Sequence, residues 1–264
     1  MQQQSNVHEL PQYSVGKTLL IWLAAAAPMG ILGWIVGPAL ARSQADLPFA
    51  RLGGLTVGLI WQFALVVILL RGEGSSLRWA DVRARLWLRA PSNAAGKTDR
   101  RLWWWLVPLI LLEAVFALMI RGAVEGLWVR LFPFFAEPAS FSMNAFMASP
   151  ESRASLAGNW GLFLLFLVQM FFNTVIGEEL LFRGLLLPRM AGAFGRWDWL
   201  ANGILFGLYH WHQPWGMLGS VIDGAFLYAF PTKRFRSSWF GIIVHSGQSV
   251  YFAFLLLGLV LGLA

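Results

Sequence analysis

Residues 177–184 read Gly-Glu-Glu-Leu-Leu-Phe-Arg-Gly, and they follow a segment, residues 154–177, that contains no charged residue. Two adjacent carboxylates at the end of an apolar helix are costly to place in or near a bilayer, so we interpret them as functional candidates. Glu179 and Arg183 are four residues apart and share a helix face, so we predict that they pair. Glu178 lies about 100° away round the helix, and this leaves it free for chemistry.

The composition of the whole chain is that of a membrane protein. Of its 264 residues, 58% are hydrophobic and 12% are charged, whereas about 25% are charged in soluble domains. The chain has no cysteine, which excludes disulfides and thiolate metal ligands. Its net charge of +7 is concentrated in short segments, which is typical of membrane topology rather than of nucleic-acid binding. We therefore predict an all-α polytopic bundle in a lipid bilayer, with no nucleic-acid partner.

Apolar runs of about 20 residues are long enough to cross a bilayer, and they predict seven or eight transmembrane helices. The runs are residues 18–41, 52–70, 102–120, 156–177, 197–211, 215–230 and 237–264. The last run is long enough for one tilted span or for one span and a partial one.

The connection between the second and third runs, residues 71–101, indicates the topology. It carries eight basic residues against three acidic ones, and such loops remain in the cytoplasm. We expect a multi-pass protein of a bacterial plasma membrane with this loop on the cytoplasmic side. The first half of the loop is predicted either as a basic amphipathic surface helix or as an ordinary solvated loop. In the first case the apolar anchors are Leu77, Trp79, Leu86 and Trp87.

Two histidines lie in the predicted spans beyond the Glu-Glu pair. His210 closes the fifth span four residues after Phe206, and His245 lies in the last run with Ser249 one turn further along the same face. A carboxylate and two intramembrane histidines favour a buried site that activates water, in which the carboxylate takes the proton and a histidine positions the water or a metal. His245 and Ser249 are candidates for stabilising an oxyanion. His212 is predicted to face away from His210 on a regular helix.

Each of these signals has a simpler interpretation when it is taken alone. A single histidine in an apolar helix more often makes an interhelical hydrogen bond, and Asn173 is interpreted in the same way. Glu113 and Asp223 are further acids within the spans, and we expect them to pair across helices or to face a polar cavity.

The combination of Glu-Glu-x-x-x-Arg, Phe-x-x-x-His and a later intramembrane histidine is more specific than any of its parts. With this combination the sequence resembles the CPBP intramembrane proteases, which include the type II CAAX prenyl endopeptidases and the bacteriocin-processing or abortive-infection proteins. The matching residues are Glu178, Glu179, Arg183, Phe206, His210 and His245. The resemblance covers about residues 155–252. We therefore divide the chain into N-terminal spans with the basic loop, residues 1–150, and a catalytic membrane core, residues 151–264.

The resemblance implies an intramembrane endopeptidase with a conical cavity open towards the cytoplasm. Its substrate would be a membrane-associated peptide or protein, and prenylated CAAX proteins are the best-known case in the family. Glu178 matches the general base, and His210 matches the histidine that works with it on the water. His245 fits the oxyanion motif His-x-x-x-Asn, but Ser249 replaces the usual asparagine and offers a hydroxyl donor of shorter reach. Glu179 and Arg183 are expected to hold the helix end in place.

The role of a metal is left open by the sequence. Glu178, His210 and His245 would give zinc three ligands and an open position, although the chain has no His-Glu-x-x-His motif. The family has been described both as metalloproteases and as glutamate proteases.

Two rival hypotheses come from other residues. A non-catalytic membrane scaffold, such as an immunity or maturation protein of the same fold, is favoured by Ser249. A small transporter is favoured by Glu113 and Asp223.

The depths of the catalytic candidates present a difficulty for a simple arrangement of spans. Counting spans places Glu178 near the cytoplasmic end of the fourth span and His210 nearer the outer end of the fifth. A fourth helix that continues past Arg183, to about Phe194, would bring the two residues together.

Overall fold

A computed structural model describes residues 10–43 and 46–263, and these residues form helices and connections without a β-strand. We label the main helices α1 to α7 in chain order. Five of them are long and apolar enough to cross a membrane: α1 (Val15–Leu40), α2 (Leu47–Gly72), α3 (Arg100–Leu131), α4 (Trp160–Arg189) and α7 (Trp239–Val260). The remaining two are α5 (Asp198–Tyr209) and α6 (residues 217–235). The protein is thus an all-α polytopic helical bundle, as predicted.

The number of spans differs from the expected seven or eight. All seven apolar runs form helices, but α5 has 12 residues and is therefore about 18 Å long, shorter than the hydrocarbon core of a bilayer. Helix α6 contains Asp223 and carries Lys233 and Arg234 in its last turn. The last run is a single helix, so no eighth span is present in the described part of the chain.

Helix α4 continues past the Glu-Glu pair, as the depths of the candidate residues require. It remains helical as far as Arg189, five residues short of the predicted end. Glu178 therefore lies eleven residues before the end of the helix, about 16 Å at the α-helical rise. Two stretches of α4, Phe172–Gly177 and Leu180–Leu186, are π-helical, and such turns occur frequently at functional sites.

The helices pack around α4. Helices α2, α5 and α7 all contact it, and α6 packs along α5 and α7. Phe182 and Leu181 of α4 are fully buried in the same core as Phe206 and Tyr209 of α5. At Gly203 a side chain would collide with Ala225 of α6, so glycine lets these two backbones approach closely.

The basic connection, residues 71–101, packs more closely against the helical bundle than either of our predictions for it. Its helix is short, Trp79–Arg85, and Trp79 is exposed. Leu86, which we expected to anchor the segment to the surface, is instead part of the protein core with 1% of its area exposed. Ser238 Oγ donates to the Leu86 carbonyl at 2.6 Å, and Ser237 Oγ donates to the Arg89 carbonyl at 2.6 Å. The segment therefore packs against the start of α7.

Candidate active site

Three helices bring the predicted catalytic residues together. Glu178 comes from α4, His210 from the end of α5 and His245 from α7, and all three are buried. The Phe206 ring packs against both histidines, with its centroid 4.8 Å from that of His210 and 6.0 Å from that of His245. His245 is close enough to interact electrostatically with both Glu178 and His210. The geometry is therefore that of one buried site.

The carboxylate of Glu178 is held by neutral hydrogen-bonding groups. With its amide nitrogen turned towards the carboxylate, Asn173 donates to Oε2 at 2.7 Å and to Oε1 at 3.1 Å. The Tyr209 hydroxyl also interacts with this carboxylate, and it accepts a hydrogen bond from Gln62 Nε2 at 2.5 Å. Glu178 has no cationic partner at hydrogen-bonding distance among the described residues, as the sequence predicted.

Our interpretation of Asn173 as an interhelical contact is wrong for a geometric reason. On a regular α-helix, residues five apart are about 140° apart round the axis. The segment Phe172–Gly177 is π-helical, and this turn closes between residues five apart. Asn173 and Glu178 therefore meet on one face of the same helix.

The predicted pairing of Glu179 and Arg183 is confirmed. Arg183 NH1 lies 3.1 Å from Glu179 Oε1, and both side chains are completely buried. The Arg183 guanidinium also donates to the Gly224 carbonyl at 3.2 Å and lies over the Phe206 ring at 4.0 Å. The same Glu179 oxygen is 3.0 Å from His245 Nδ1. Glu179 thus connects α4 to α7.

The two candidate histidines, His210 and His245, are oriented in the same manner. His210 Nδ1 lies 2.8 Å from the Phe206 carbonyl, and His245 Nδ1 faces the Glu179 carboxylate. Both partners are acceptors, so in each ring Nδ1 carries the proton and Nε2 is the free nitrogen.

His212 does not face away from His210, contrary to our prediction. The chain leaves the α-helix after Tyr209, and His210–His212 form a tighter 3₁₀ turn. The ring centroids of the two histidines are 5.5 Å apart and their planes are tilted by 31°.

Two tyrosines belong to the site and were not predicted. The Tyr228 ring stacks on His245 with centroids 4.7 Å apart, and its hydroxyl donates to Glu113 Oε1 at 3.0 Å. Tyr209 contacts Glu178, as described above. The sequence did offer one signal, which is that tyrosine is rare in this chain, with 4 tyrosines beside 21 phenylalanines. A tyrosine buried in an apolar helix needs a hydrogen-bond partner for its hydroxyl.

The last sequence-predicted site residue is Ser249. It is 8% exposed and lies one turn beyond His245 on α7. This places a hydroxyl on the buried face of the helix that carries His245.

Residues 159–251 match the family described as Type II CAAX prenyl endopeptidase Rce1-like. This part of the chain is similar to the Rce1-like family. The matched segment begins just before α4 and ends within α7, so it contains every predicted site residue and agrees with the predicted limits of about 155–252. No curated protein and no solved structure shows significant similarity to the chain.

Residues outside the Rce1-like segment also contribute to the polar interior. Gln62 of α2 supports Tyr209, and Glu113 of α3 supports Tyr228. Asp223 pairs with Arg121 of α3, which also lies 3.1 Å from Glu125. The expected pairing of the intramembrane acids across helices is thus confirmed for Asp223. The division of the chain at residue 150 stays a prediction, and this polar network crosses it.

The positions of the possible metal ligands bear on the zinc alternative. Within residues 10–43 and 46–263, no three histidine, aspartate or glutamate side chains are grouped closely enough to hold a metal ion. As placed, Glu178, His210 and His245 therefore do not fit a zinc site. Zinc stays a prediction.

Proposed function

We propose that the protein is an intramembrane endopeptidase in which Glu178 is the general base. The Rce1-like family supports a CAAX-type membrane protease. The observation that carries the assignment is a buried group from three helices, in which Phe206 packs against His210 and His245 and Glu178 interacts with His245. Of the two adjacent glutamates, Glu178 is the one whose carboxylate is held by an amide and a hydroxyl rather than by an arginine.

The proposed reaction assigns one role to each of these groups. Glu178 takes a proton from a water molecule, and His210 positions that water through its free Nε2. The water oxygen bonds to the scissile carbonyl carbon, and the carbonyl oxygen becomes an oxyanion. When the C–N bond breaks, Glu178 returns the proton to the leaving amine, so the base of the first step is the acid of the second.

The oxyanion requires hydrogen-bond donors at the site where charge develops. Ser249 Oγ offers one from the buried face of α7. His245, one turn before Ser249 on the same helix, is the second residue that we assign to this oxyanion site, and its Nδ1 lies against the Glu179 carboxylate. Glu179 and Arg183 thus hold the donor in place rather than acting on the substrate.

The proposed substrate is a peptide segment of a membrane-associated protein, and a prenylated CAAX sequence is the first candidate because of the family. The test is a cleavage assay on farnesylated and unmodified peptides with detergent-purified protein. Glu178→Gln should lower kcat by about 10²- to 10⁴-fold, the usual contribution of a general base. Glu137→Gln, which alters an exposed acid, should retain wild-type kcat.

Three outcomes have different meanings. Cleavage by Glu178→Gln at the wild-type rate would remove the general-base assignment. Failure of the wild type to cleave any peptide, with a cellular phenotype that survives Glu178→Ala, would favour the scaffold alternative. One equivalent of zinc that is retained by the wild type and lost from His210→Ala would assign water activation to a metal.

A further inference from the structure

Two side chains from the N-terminal helices donate to the turn His210–His212, which follows α5. A turn that leaves an α-helix has backbone carbonyls that the helical hydrogen bonds no longer satisfy. Trp34 Nε1 of α1 donates to the Trp211 carbonyl at 2.9 Å, and Arg51 NH2 of α2 donates to the His212 carbonyl at 3.0 Å. Both donors lie outside the segment that matches the Rce1-like family.

Arg51 connects α1, α2 and this turn through one guanidinium. While its NH2 donates to the turn, its Nε donates to the Gly33 carbonyl of α1 at 3.1 Å. Arg51 is 9% exposed, and its guanidinium lies 3.7 Å over the Phe141 ring. No acidic group lies within ion-pairing distance of it in the part of the chain that the structure describes. A buried cation without an ion pair is costly, so its presence in a membrane-spanning helix favours a functional role.

Helix α1 has glycines where the turn packs against it. A Cβ atom at Gly33 would lie 3.0 Å from His212 Cβ, and one at Gly30 would collide with the Trp211 ring. The Trp211 indole in turn donates from Nε1 to the Ala26 carbonyl of α1 at 2.6 Å. Glycine at both positions lets the helix backbone approach closely. The turn is therefore held against α1 by its backbone and by its side chains.

We propose that Trp34 and Arg51 are positioning residues for catalysis. They hold the turn so that His210 meets the water that Glu178 activates, and the proposal thus rests on the proposed endopeptidase function. His210 Nδ1 lies 2.8 Å from the Phe206 carbonyl of α5, which orients the ring but does not fix the turn relative to α4. A catalytic group that is misplaced by about 1 Å can lower the rate by about 10²-fold. The N-terminal helices therefore belong to the catalytic unit.

The first test compares two tryptophans that differ in the carbonyl they hold. Trp34 and Trp61 are both 37% exposed, and Trp61 Nε1 donates to the Ala24 carbonyl of α1 at 2.8 Å, away from the turn. Phenylalanine at either position keeps an aromatic ring and removes the donor. Trp34→Phe should lower kcat for peptide cleavage by about tenfold with little change in KM, whereas Trp61→Phe should retain wild-type kcat. Equal kcat values for the two variants would overturn the role of Trp34.

The second test separates the shape of the guanidinium from its charge. Lysine in place of Arg51 keeps a cation but loses the planar fork that reaches both carbonyls. Arg51→Lys should therefore lower kcat by about 10²-fold with KM nearly unchanged. Arg71→Lys, at an exposed position near the other end of α2, is the matched control and should retain wild-type kcat. Wild-type kcat in Arg51→Lys would contradict the proposal. Thermal unfolding in detergent shows whether each variant is folded, and if Arg51→Lys is not, the tryptophan pair decides.

A spectroscopic test follows the histidine without a substrate. The chain has four histidines, so their Cε1 carbons are labelled with ¹³C and observed by NMR in detergent, and the signal missing from His210→Ala is that of His210. This signal should move in Trp34→Phe and in Arg51→Lys and stay in place in Trp61→Phe and Arg71→Lys. A lowered kcat with an unmoved His210 signal would assign the loss to another part of the site and would overturn the proposal.

These readouts separate the positioning role from the catalytic proposal. A His210 signal that responds to both substitutions in a protein that cleaves nothing would remove the endopeptidase and leave the hold on the turn. Cleavage that requires Glu178 but proceeds at wild-type kcat in Trp34→Phe and in Arg51→Lys would remove the positioning role and leave the endopeptidase.

Discussion

His245 Nδ1 lies 3.0 Å from Glu179 Oε1, and this contact joins the last helix of the protein to the Glu-Glu motif. The same carboxylate oxygen is 3.1 Å from Arg183 NH1. Glu179 and Arg183 are completely buried, so this carboxylate contacts both the Arg183 guanidinium and the His245 ring away from water. Glu179 therefore contacts Arg183 on its own helix and orients His245, a candidate catalytic residue, on another.

Removing this carboxylate should separate its two roles. Glu179→Leu leaves the Arg183 charge buried and unpaired, so we expect a loss of about 3–5 kcal/mol of stability. In Glu179→Leu/Arg183→Met the pair is replaced by apolar side chains, which is often neutral, so most of the stability should return. Cleavage should not return, because His245 still lacks its Nδ1 acceptor. Thermal unfolding in detergent and the peptide assay measure the two effects. Recovery of both in the double variant would show that Glu179 has a structural role alone.

Gly241 should be intolerant of any side chain. A Cβ atom there would lie 3.1 Å from Arg183 Cγ and 3.2 Å from Thr232 Oγ1, and still closer to the Glu179 carboxylate. All three neighbours are completely buried and cannot move aside. Gly241→Ala should therefore destabilise the protein by about 1–3 kcal/mol, the usual cost of overpacking, and should lower cleavage. The matched control is Gly258→Ala, where the space is open and alanine should be neutral or slightly stabilising. Equal unfolding temperatures for the two variants would contradict this account.

The sequence predicted the features that depend on regular helix geometry. The apolar runs became helices, and the four-residue spacing of Glu179 and Arg183 became an ion pair. The failures lie where the chain departs from 3.6 residues per turn. Asn173 reaches Glu178 through a π-helical turn, and His212 approaches His210 through a 3₁₀ turn. No hydrophobic periodicity indicates such turns in advance.

Contacts between distant helices were the second limit of prediction. Glu113 was recognised as an unusual intramembrane acid, but its partner Tyr228 is 115 residues away on α6. Gln62 and Tyr209 are 147 residues apart. Which helices pack together depends on the whole bundle, so a single sequence identifies the polar residues without pairing them.

Ser249 offers a test of the oxyanion assignment. Loss of one oxyanion donor usually lowers kcat by about 10²- to 10³-fold, so Ser249→Ala should lower kcat by about this factor with KM nearly unchanged. Ser249→Asn restores the amide usual in the family and should retain or raise kcat. Ser246→Ala is the control, because Ser246 donates to Thr174 at 2.9 Å and its loss should affect stability alone. Steady-state kinetics on one peptide would compare the three variants, and wild-type kcat in Ser249→Ala would remove this residue from the site.

A cluster of charged residues beyond the end of α2, in which Glu73 and Asp81 contact Arg85 and Arg189, should make the stability of the protein depend on pH. Glu73 accepts from Arg189 Nε at 2.7 Å and from Arg189 NH2 at 2.6 Å, and Tyr13 donates to it as well. Burial raises the pKa of Glu73, but these hydrogen bonds outweigh burial and leave its pKa below the usual value. Hydrogen bonds from Ser75 and the Ser76 backbone, with Arg85, lower the pKa of Asp81 to about 2.

Because both carboxylates have lowered pKa values in the folded protein, they stabilise it above their unfolded pKa of about 4, and this stabilisation is lost as the pH falls further. The unfolding temperature in detergent should therefore decrease from about pH 5 towards pH 2. Glu73→Gln should lower the unfolding temperature at pH 7, because Arg189 is then buried without its counter-ion, and should make the decrease with pH shallower. Glu137→Gln, at an exposed position, should keep the wild-type decrease. If Glu73→Gln were as sensitive to acid as the wild type, the cluster would not be the source of the pH dependence.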